Sequence, residues 1–191
     1  MLEDIAVLRS IPRIRILTPA DPLELQAQLL ETVSSNFPTY IRIGKKGEPN
    51  LFDEKHTLGI GKANLIFEGK DYLILTIGPI TSEAIIAANE LSKEGISVAV
   101  ATMSSVRPLD KDFLEKMIKM KFKKWLTLEE HGLIGGLGSS ILEWSSDNNL
   151  QGEISIKRFG TIDQFIHKLG NQTYTRKTLG IDSSSIVNYL R

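Results

Sequence analysis

The sequence predicts an α/β protein in which a three-layer α/β/α domain with a mostly parallel sheet follows a shorter, incomplete α/β segment. Strand-like and helix-like patterns alternate through residues 62–191, as they do when helices cover both faces of a parallel sheet. Residues 1–50 alternate in the same way but contain only two strands, and two parallel strands need further strands to form a stable sheet. Residues 51–61 are polar and turn-rich, which is typical of a linker. We therefore expect residues 1–50 to be the final part of a domain whose earlier strands lie elsewhere.

The elements of the N-terminal segment follow from local patterns. Apolar residues recur at three- and four-residue spacings over residues 2–11 and predict a helix that Pro12 ends. Asp21 is suited to cap a second helix, and Pro22 is suited to its first turn. The predicted elements are, in order, a helix over 2–11, a strand over 13–17, a helix over 20–35 and a strand over 39–44.

The elements of the larger segment are predicted in the same way. Asp110 is suited to cap one helix, and Thr81 or Ser82 to cap another. Lysines fill the last turn of the helix that follows Asp110, where they complement the helix dipole. The predicted strands cover 71–78, 96–103, 124–130 and 154–160, and the predicted helices cover 81–95, 109–121, 135–146, 162–169 and 182–190.

The composition excludes several classes of function. The 23 Lys and Arg residues balance 23 Asp and Glu residues, which argues against nucleic acid or a membrane surface as a partner. Cysteine is absent, so the chain has no disulfide, no thiolate nucleophile and no Cys-ligated metal. His56 and His167 lack metal-ligand spacing and are expected at the surface. Because no signal peptide or membrane-spanning run is visible, we expect a soluble, cytoplasmic protein.

The most distinctive stretch is "EEHGLIGGLGSS", in which a strand ends in Glu129, Glu130 and His131 and four glycines follow within 132–138. Glycines ahead of a helix suit a dinucleotide site, but Ile141 stands where that motif needs a small residue for close packing. The preferred interpretation is a tight strand-to-helix turn packed against a neighbouring domain. The two acids and the histidine could exchange protons, although a solvated or interface-bonded strand end is the simpler hypothesis.

Basic residues follow the second predicted strand, in the stretch "YIRIGKKGEP". Arg42, Lys45 and Lys46 lie just beyond the carboxyl end of that strand, where open α/β sheets bind ligands. Cations at this position suit a phosphate or a carboxylate. The alternative is an ordinary basic turn that keeps the segment soluble.

Several phrases resemble the transketolase family in their order and spacing. They are "EDIAVLRSIP", "ILTPADPLE", "PTYIRIGKKGEP", "TIGPITSEAIIAANELSKEGISVAVATMSSVRPLD", "LEEHGLIGGLGSSILE" and "LGIDSSSIV", and they are most like the split kind with separate N- and C-terminal subunits. The resemblance implies that residues 1–50 are the trailing part of a pyrimidine-binding domain, that 51–61 are a linker and that 62–191 are the transketolase C-terminal domain.

The resemblance implies thiamine diphosphate and Mg²⁺ as cofactors of the complete enzyme, which moves two-carbon ketol units between sugar phosphates. The residues that hold the diphosphate and metal, and the glutamate that activates the coenzyme, would lie outside this chain. We therefore assign it no catalytic, cofactor-binding or metal-binding residue and expect the isolated chain to be inactive and free of cofactor. Lys45 and then Arg42 would bind the substrate phosphate. A contact with another domain or subunit would involve Glu130, His131, Gly135, Gly136 and Gly138.

The resemblance also implies partners, namely a second copy in a homodimer and a possible N-terminal transketolase subunit. Two other hypotheses stay open. The chain could be a non-catalytic dimerisation module, or a fragment of a related enzyme such as deoxyxylulose phosphate synthase or the β-type subunit of a 2-oxo acid dehydrogenase.

Overall fold

A computed structural model of the protein describes residues 2–45, 47–53, 55–167 and 170–191. These residues form a five-stranded sheet and a three-stranded sheet, with helices packed around them. The elements are α1 Asp4–Arg9, β1 Arg15–Leu17, α2 Pro22–Val33, β2 Thr39–Ile41, β3 Asn64–Phe67, β4 Tyr72–Thr76, α3 Thr81–Ser92, β5 Val98–Thr102, β6 Ser105–Arg107, α4 Lys111–Lys119, β7 Lys124–Gly132, α5 Leu137–Asp147, β8 Ile156–Thr161, α6 Gln172–Thr178 and α7 Ser183–Leu190.

The larger sheet has the strand order β3-β5-β4-β7-β8 and is parallel except for β3, which runs antiparallel to β5. Its central strands are apolar on both faces, because helices cover both. Leu75 and Trp125 pack toward α4 and α5 on one face, and Ile74 and Leu126 pack toward α3 and α7 on the other. The predicted three-layer arrangement with a mostly parallel sheet is confirmed.

The smaller sheet has the order β2-β1-β6. The parallel pairing of β1 with β2 agrees with the predicted strand–helix–strand unit, but the antiparallel third strand, β6, was not predicted. It follows β5 after a two-residue turn, so the chain leaves the large sheet and returns to pair with the N-terminal segment. Only three residues long and followed directly by Pro108, β6 has too little periodicity to be recognised in the sequence.

Two helix predictions differ from the structure. Residues 162–167 contain no helix, and the remainder of the helix predicted over 162–169 lies outside the described residues; α6 begins instead after Asn171, whose side chain accepts a hydrogen bond from Tyr174 N. The caps predicted at Thr81 or Ser82 are also wrong, because a 3₁₀ turn over Gly78–Ile80 runs directly into α3. The Asp21 and Asp110 caps are confirmed.

Strand β3 was also absent from the prediction, since polar and turn-forming residues surround its short apolar run. None of the helices in the described part of the chain is both long and apolar enough to cross a membrane.

Candidate functional site

A cavity of about 210 Å³ lies at the carboxyl ends of strands from both sheets. Thr18 follows β1, Arg42 and Lys45 follow β2, and Glu130 lies near the end of β7. Gln172, the first residue of α6, also lines the cavity. The structure therefore places the two predicted phosphate ligands in one cavity, at the edge where parallel sheets bind ligands. Lys46 lies outside the described residues.

Arg42 is oriented by the N-terminal helix. Its Nε lies 3.5 Å from Oδ2 of Asp4, a buried residue of α1. The same carboxylate oxygen accepts a hydrogen bond of 2.7 Å from the Tyr40 hydroxyl. Burial and this hydrogen bond raise the pKa of Tyr40, which keeps the hydroxyl protonated as a donor. Lys45, in contrast, is exposed at the cavity edge.

Glu130 is held by two side chains of α6. Arg176 Nε donates a hydrogen bond of 2.7 Å to Oε1 of Glu130, and Gln172 Nε2 lies 3.0 and 3.1 Å from its two carboxylate oxygens. Arg176 Nη1 also lies 3.2 Å from Oε1 of Glu83, on α3. Sequence analysis missed Gln172, Arg176 and Glu83. Their partners are 42 to 93 positions away in the chain, and no local spacing reveals such pairs.

Glu129 serves a structural purpose at the start of α5. It is fully buried and accepts hydrogen bonds from Leu137 N at 2.7 Å and Gly138 N at 2.9 Å. The protein's own carboxylate therefore occupies the position at which a dinucleotide phosphate would bind. This agrees with the sequence-based preference for a packed turn. Burial raises the pKa of Glu129 to about 7, although the two backbone hydrogen bonds oppose that shift.

The glycines of this turn are required by close packing. A Cβ on Gly136 would lie 2.0 Å from Oε2 of Glu129, and a Cβ on Gly138 would lie 2.8 Å from Oγ1 of Thr127. Gly135 has a φ of 77°, and a Cβ there would lie 2.5 Å from Cβ of Ala6 in α1. The glycines thus let α1, the end of β7 and the start of α5 approach one another.

His131 links this turn to α1 within the same chain. Its Nε2 accepts a hydrogen bond from Ala6 N at 3.3 Å, while Nδ1 lies 2.8 Å from the carbonyl oxygen of Gly132, which assigns the proton to Nδ1. Burial lowers the pKa of His131 and favours this neutral form. Glu129 and His131 are both fully buried, so a solvated strand end is the wrong hypothesis for them. Contact of this turn with a second subunit stays a prediction.

Glu24, His56 and His167 do not line the cavity. Glu24 is buried and accepts hydrogen bonds from Ala20 N and the Thr102 hydroxyl, and burial raises its pKa to about 7. His56 is partly buried beside Asp53, and the predicted surface position of His167 is confirmed. Within the described residues, no group of three or more His, Cys, Asp or Glu side chains is arranged to hold a metal ion.

Comparison with known families finds that residues 61–186 match the family described as transketolase, C-terminal domain. Among curated proteins, the 1-deoxy-D-xylulose-5-phosphate synthase of Halothermothrix orenii is 37% identical over 97% of this chain and 29% of its own length. A 6-deoxy-6-sulfo-D-fructose transketolase subunit of a Clostridium species is 31% identical over 97% of this chain and 56% of its own length. A putative transketolase C-terminal section of Methanocaldococcus jannaschii is 30% identical, with 97% and 57% covered. The chain therefore spans between 29% and 57% of these relatives.

Solved structures give the same result. A split gene transketolase, solved as an inactive β4 tetramer, superposes with a TM-score of 0.89 at 30% identity. The superposition covers 99% of this chain and 60% of the transketolase chain. A transketolase from Campylobacter jejuni superposes with a TM-score of 0.65 at 18% identity over 98% of this chain and 27% of that one, a similarity of fold alone.

Proposed function

Because this chain belongs to the transketolase C-terminal domain family, we propose that it is the C-terminal part of a thiamine-diphosphate-dependent enzyme that transfers two-carbon ketol units between sugar phosphates. The observation that carries the proposal is the cavity at the carboxyl ends of the strands, with Arg42 and Lys45 in its lining. Two relatives named for transketolase, each matched over nearly the whole of this chain, support it.

The cavity suits the phosphate end of a substrate. Its volume of about 210 Å³ is below the range of about 300–1,000 Å³ that is usual for a complete small-molecule site. A phosphate needs less space than a whole substrate, and its negative charge would attract the Arg42 guanidinium group and the Lys45 ammonium group. The reacting end of the sugar would then lie outside this chain, beside the coenzyme.

The residues of this chain do not fit the coenzyme itself. Within the described ranges no group of three or more His, Cys, Asp or Glu side chains is arranged to hold a metal ion. The two acids with strongly raised pKa values, Glu24 and Glu129, are enclosed and bonded to neighbouring backbone amides, so neither can reach a bound molecule. We derive no catalytic step through thiamine diphosphate and place its site, with Mg²⁺, on other parts of the complete enzyme.

Those parts would include an N-terminal transketolase subunit and a second copy of this chain in a homodimer. We assign residues 1–50 to the trailing part of a pyrimidine-binding domain, 51–61 to a linker and 62–191 to the C-terminal domain. The exposed apolar side chains of Leu30 and Val33 on α2, 65% and 81% exposed, support this assignment, since an apolar helix face normally packs against further structure.

A deoxyxylulose phosphate synthase activity is the second candidate. The 37% identity with the Halothermothrix orenii enzyme favours it. In 1-deoxy-D-xylulose 5-phosphate, C1 carries no oxygen, so the donor of the two-carbon unit would be a 2-oxo acid that loses CO₂ rather than a ketose phosphate. The split gene transketolase that this chain matches is an inactive β4 tetramer, and this keeps the non-catalytic module as a third possibility.

The test is calorimetric titration of thiamine diphosphate with Mg²⁺ into the chain alone and into its mixture with an N-terminal transketolase subunit. We expect no binding to the chain alone and binding to the mixture. The mixture is then assayed with a ketose phosphate donor, for aldose phosphate release, and with a 2-oxo acid, for CO₂ release. Tight binding to the chain alone would refute the assignment of missing parts, and an inert mixture would favour the module.

A further inference from the structure

A carboxylate lies within the cavity that we assign to a phosphate. Glu130 lines the same cavity as Arg42 and Lys45, and its side chain is 23% exposed. An unpaired carboxylate there would repel a dianion. On the basis of the proposed phosphate site, we propose that Arg176 is a positioning residue, which neutralises Glu130 from the buried side and so preserves the affinity of the cavity for phosphate.

The geometry places Arg176 behind the cavity and not inside it. It is 7% exposed and absent from the lining, yet its Nε donates to Oε1 of Glu130 at 2.7 Å. Gln172 donates to both oxygens of the same carboxylate. Both carboxylate oxygens of Glu130 are therefore hydrogen-bonded to side chains of α6, and the positive charge of Arg176 compensates the negative charge of Glu130.

Arg176 is fixed in place by a second carboxylate. Its Nη1 lies 3.2 Å from Oε1 of Glu83, whose other oxygen accepts a hydrogen bond from Ser183 N at the start of α7. Burial alone would lower the pKa of Arg176, but Glu130 and Glu83 outweigh that effect and raise it. Nη2 is buried with no hydrogen-bond partner among the described residues.

The charges around the cavity show what loss of Arg176 would do. Arg42 lies beside the buried Asp4, which offsets part of its positive charge, and Lys45 is exposed to solvent. Without Arg176, the carboxylates of Glu130 and Glu83 would lose their shared cation. An added unit negative charge about 6 Å from a dianion, screened as in bulk water with a dielectric constant of about 80, weakens binding by about tenfold, and weaker screening would increase this effect.

The test uses inorganic phosphate titrated into the full chain at pH 8 and followed by amide NMR shifts of residues 42–45. Arg176→Met should bind phosphate about tenfold more weakly than wild type. Combining Arg176→Met with Glu130→Gln should restore affinity to within about twofold, because the repelling charge is gone. Arg191→Met is the matched control, since Arg191 also pairs with two glutamates but at an exposed position, and it should bind like wild type.

The outcomes separate this inference from the proposed site. If wild type shows no saturable shift, or Lys45→Met binds as well as wild type, the phosphate site itself is wrong. If binding depends on Lys45 but Arg176→Met is unchanged, the role of Arg176 is refuted and the site stands. If Arg176→Met loses binding and Glu130→Gln does not restore it, Arg176 only supports the fold, and the inference is equally overturned.

Discussion

Replacement of Gly136 by alanine tests the packing of the β7–α5 turn. The new Cβ would lie 2.0 Å from Oε2 and 2.7 Å from Cδ of Glu129, and 2.7 Å from Nδ1 of His131. Neither neighbour can move freely, because both are fully buried and Glu129 is bonded to two amides of α5. The backbone itself tolerates alanine, since φ is −87°. The cost in the folded state is therefore steric.

The expected cost combines two contributions. Overpacking of a buried site costs about 1–3 kcal/mol, and displacing Glu129 from the helix N-terminus costs about 1–3 kcal/mol more through unpaired amides. The lower entropy of the unfolded alanine chain returns about 0.4–1 kcal/mol. We expect Gly136→Ala to lower the free energy of unfolding by about 3 kcal/mol, a large share of the total for a domain of this size.

The measurement is urea denaturation followed by far-UV circular dichroism. Gly152→Ala is the control, because a Cβ at this exposed position meets nothing within 4 Å, and it should stay within about 0.5 kcal/mol of wild type. A double-mutant cycle with Glu129→Ala should show strong coupling, since the clash needs both side chains. Equal stability of Gly136→Ala and wild type would refute the placement of Glu129 at the helix start.

Two further predictions concern buried acids and exposed apolar residues. Burial raises the pKa values of Glu24 and Glu129 to about 7, so the folded state holds their protons more tightly than the unfolded state does. The free energy of unfolding should therefore fall as pH rises from about 4.5 to 7, by on the order of 3 kcal/mol per group at most. In the double variant Glu24→Gln, Glu129→Gln, the free energy of unfolding measured by urea titration should change much less over this pH range. The same pH dependence as in wild type would contradict the burial of the two carboxyl groups. Leu30→Ser with Val33→Ser should leave the unfolding midpoint nearly unchanged but reduce self-association or partner binding in light scattering. Met120→Ser, at 52% exposure, is the control, and equal association of both variants would count against α2 as a contact surface.

Most of the large sheet could be predicted because its determinants are local. The apolar runs of β4 and β5 and the Asp110 cap lie within a few residues of the elements that they define. The phosphate candidates Arg42 and Lys45 could be located for a similar reason, since a strand followed by cations identifies the ligand-binding edge.

What escaped prediction depends on distant pairs. Strand β6 is defined by its register with β1, about ninety residues earlier, and not by its own three residues. Arg176 is buried only because Glu130 and Glu83 come together in the fold. The sequence does not reveal that Glu129 is the internal ligand of the glycine turn, because an acid at a strand end has the same local pattern whether it faces solvent or a helix.

The return of β6 to the small sheet determines how the chain would respond to cleavage. Within 55–61 the described residues form no helix or strand, so a protease could act there without disrupting either sheet. The two pieces would nonetheless remain associated, because β6 pairs with β1 and Thr18 bonds to the backbone at Ser104 and Gly78. A nicked molecule would thus migrate as two bands on a denaturing gel and as one species on a native column.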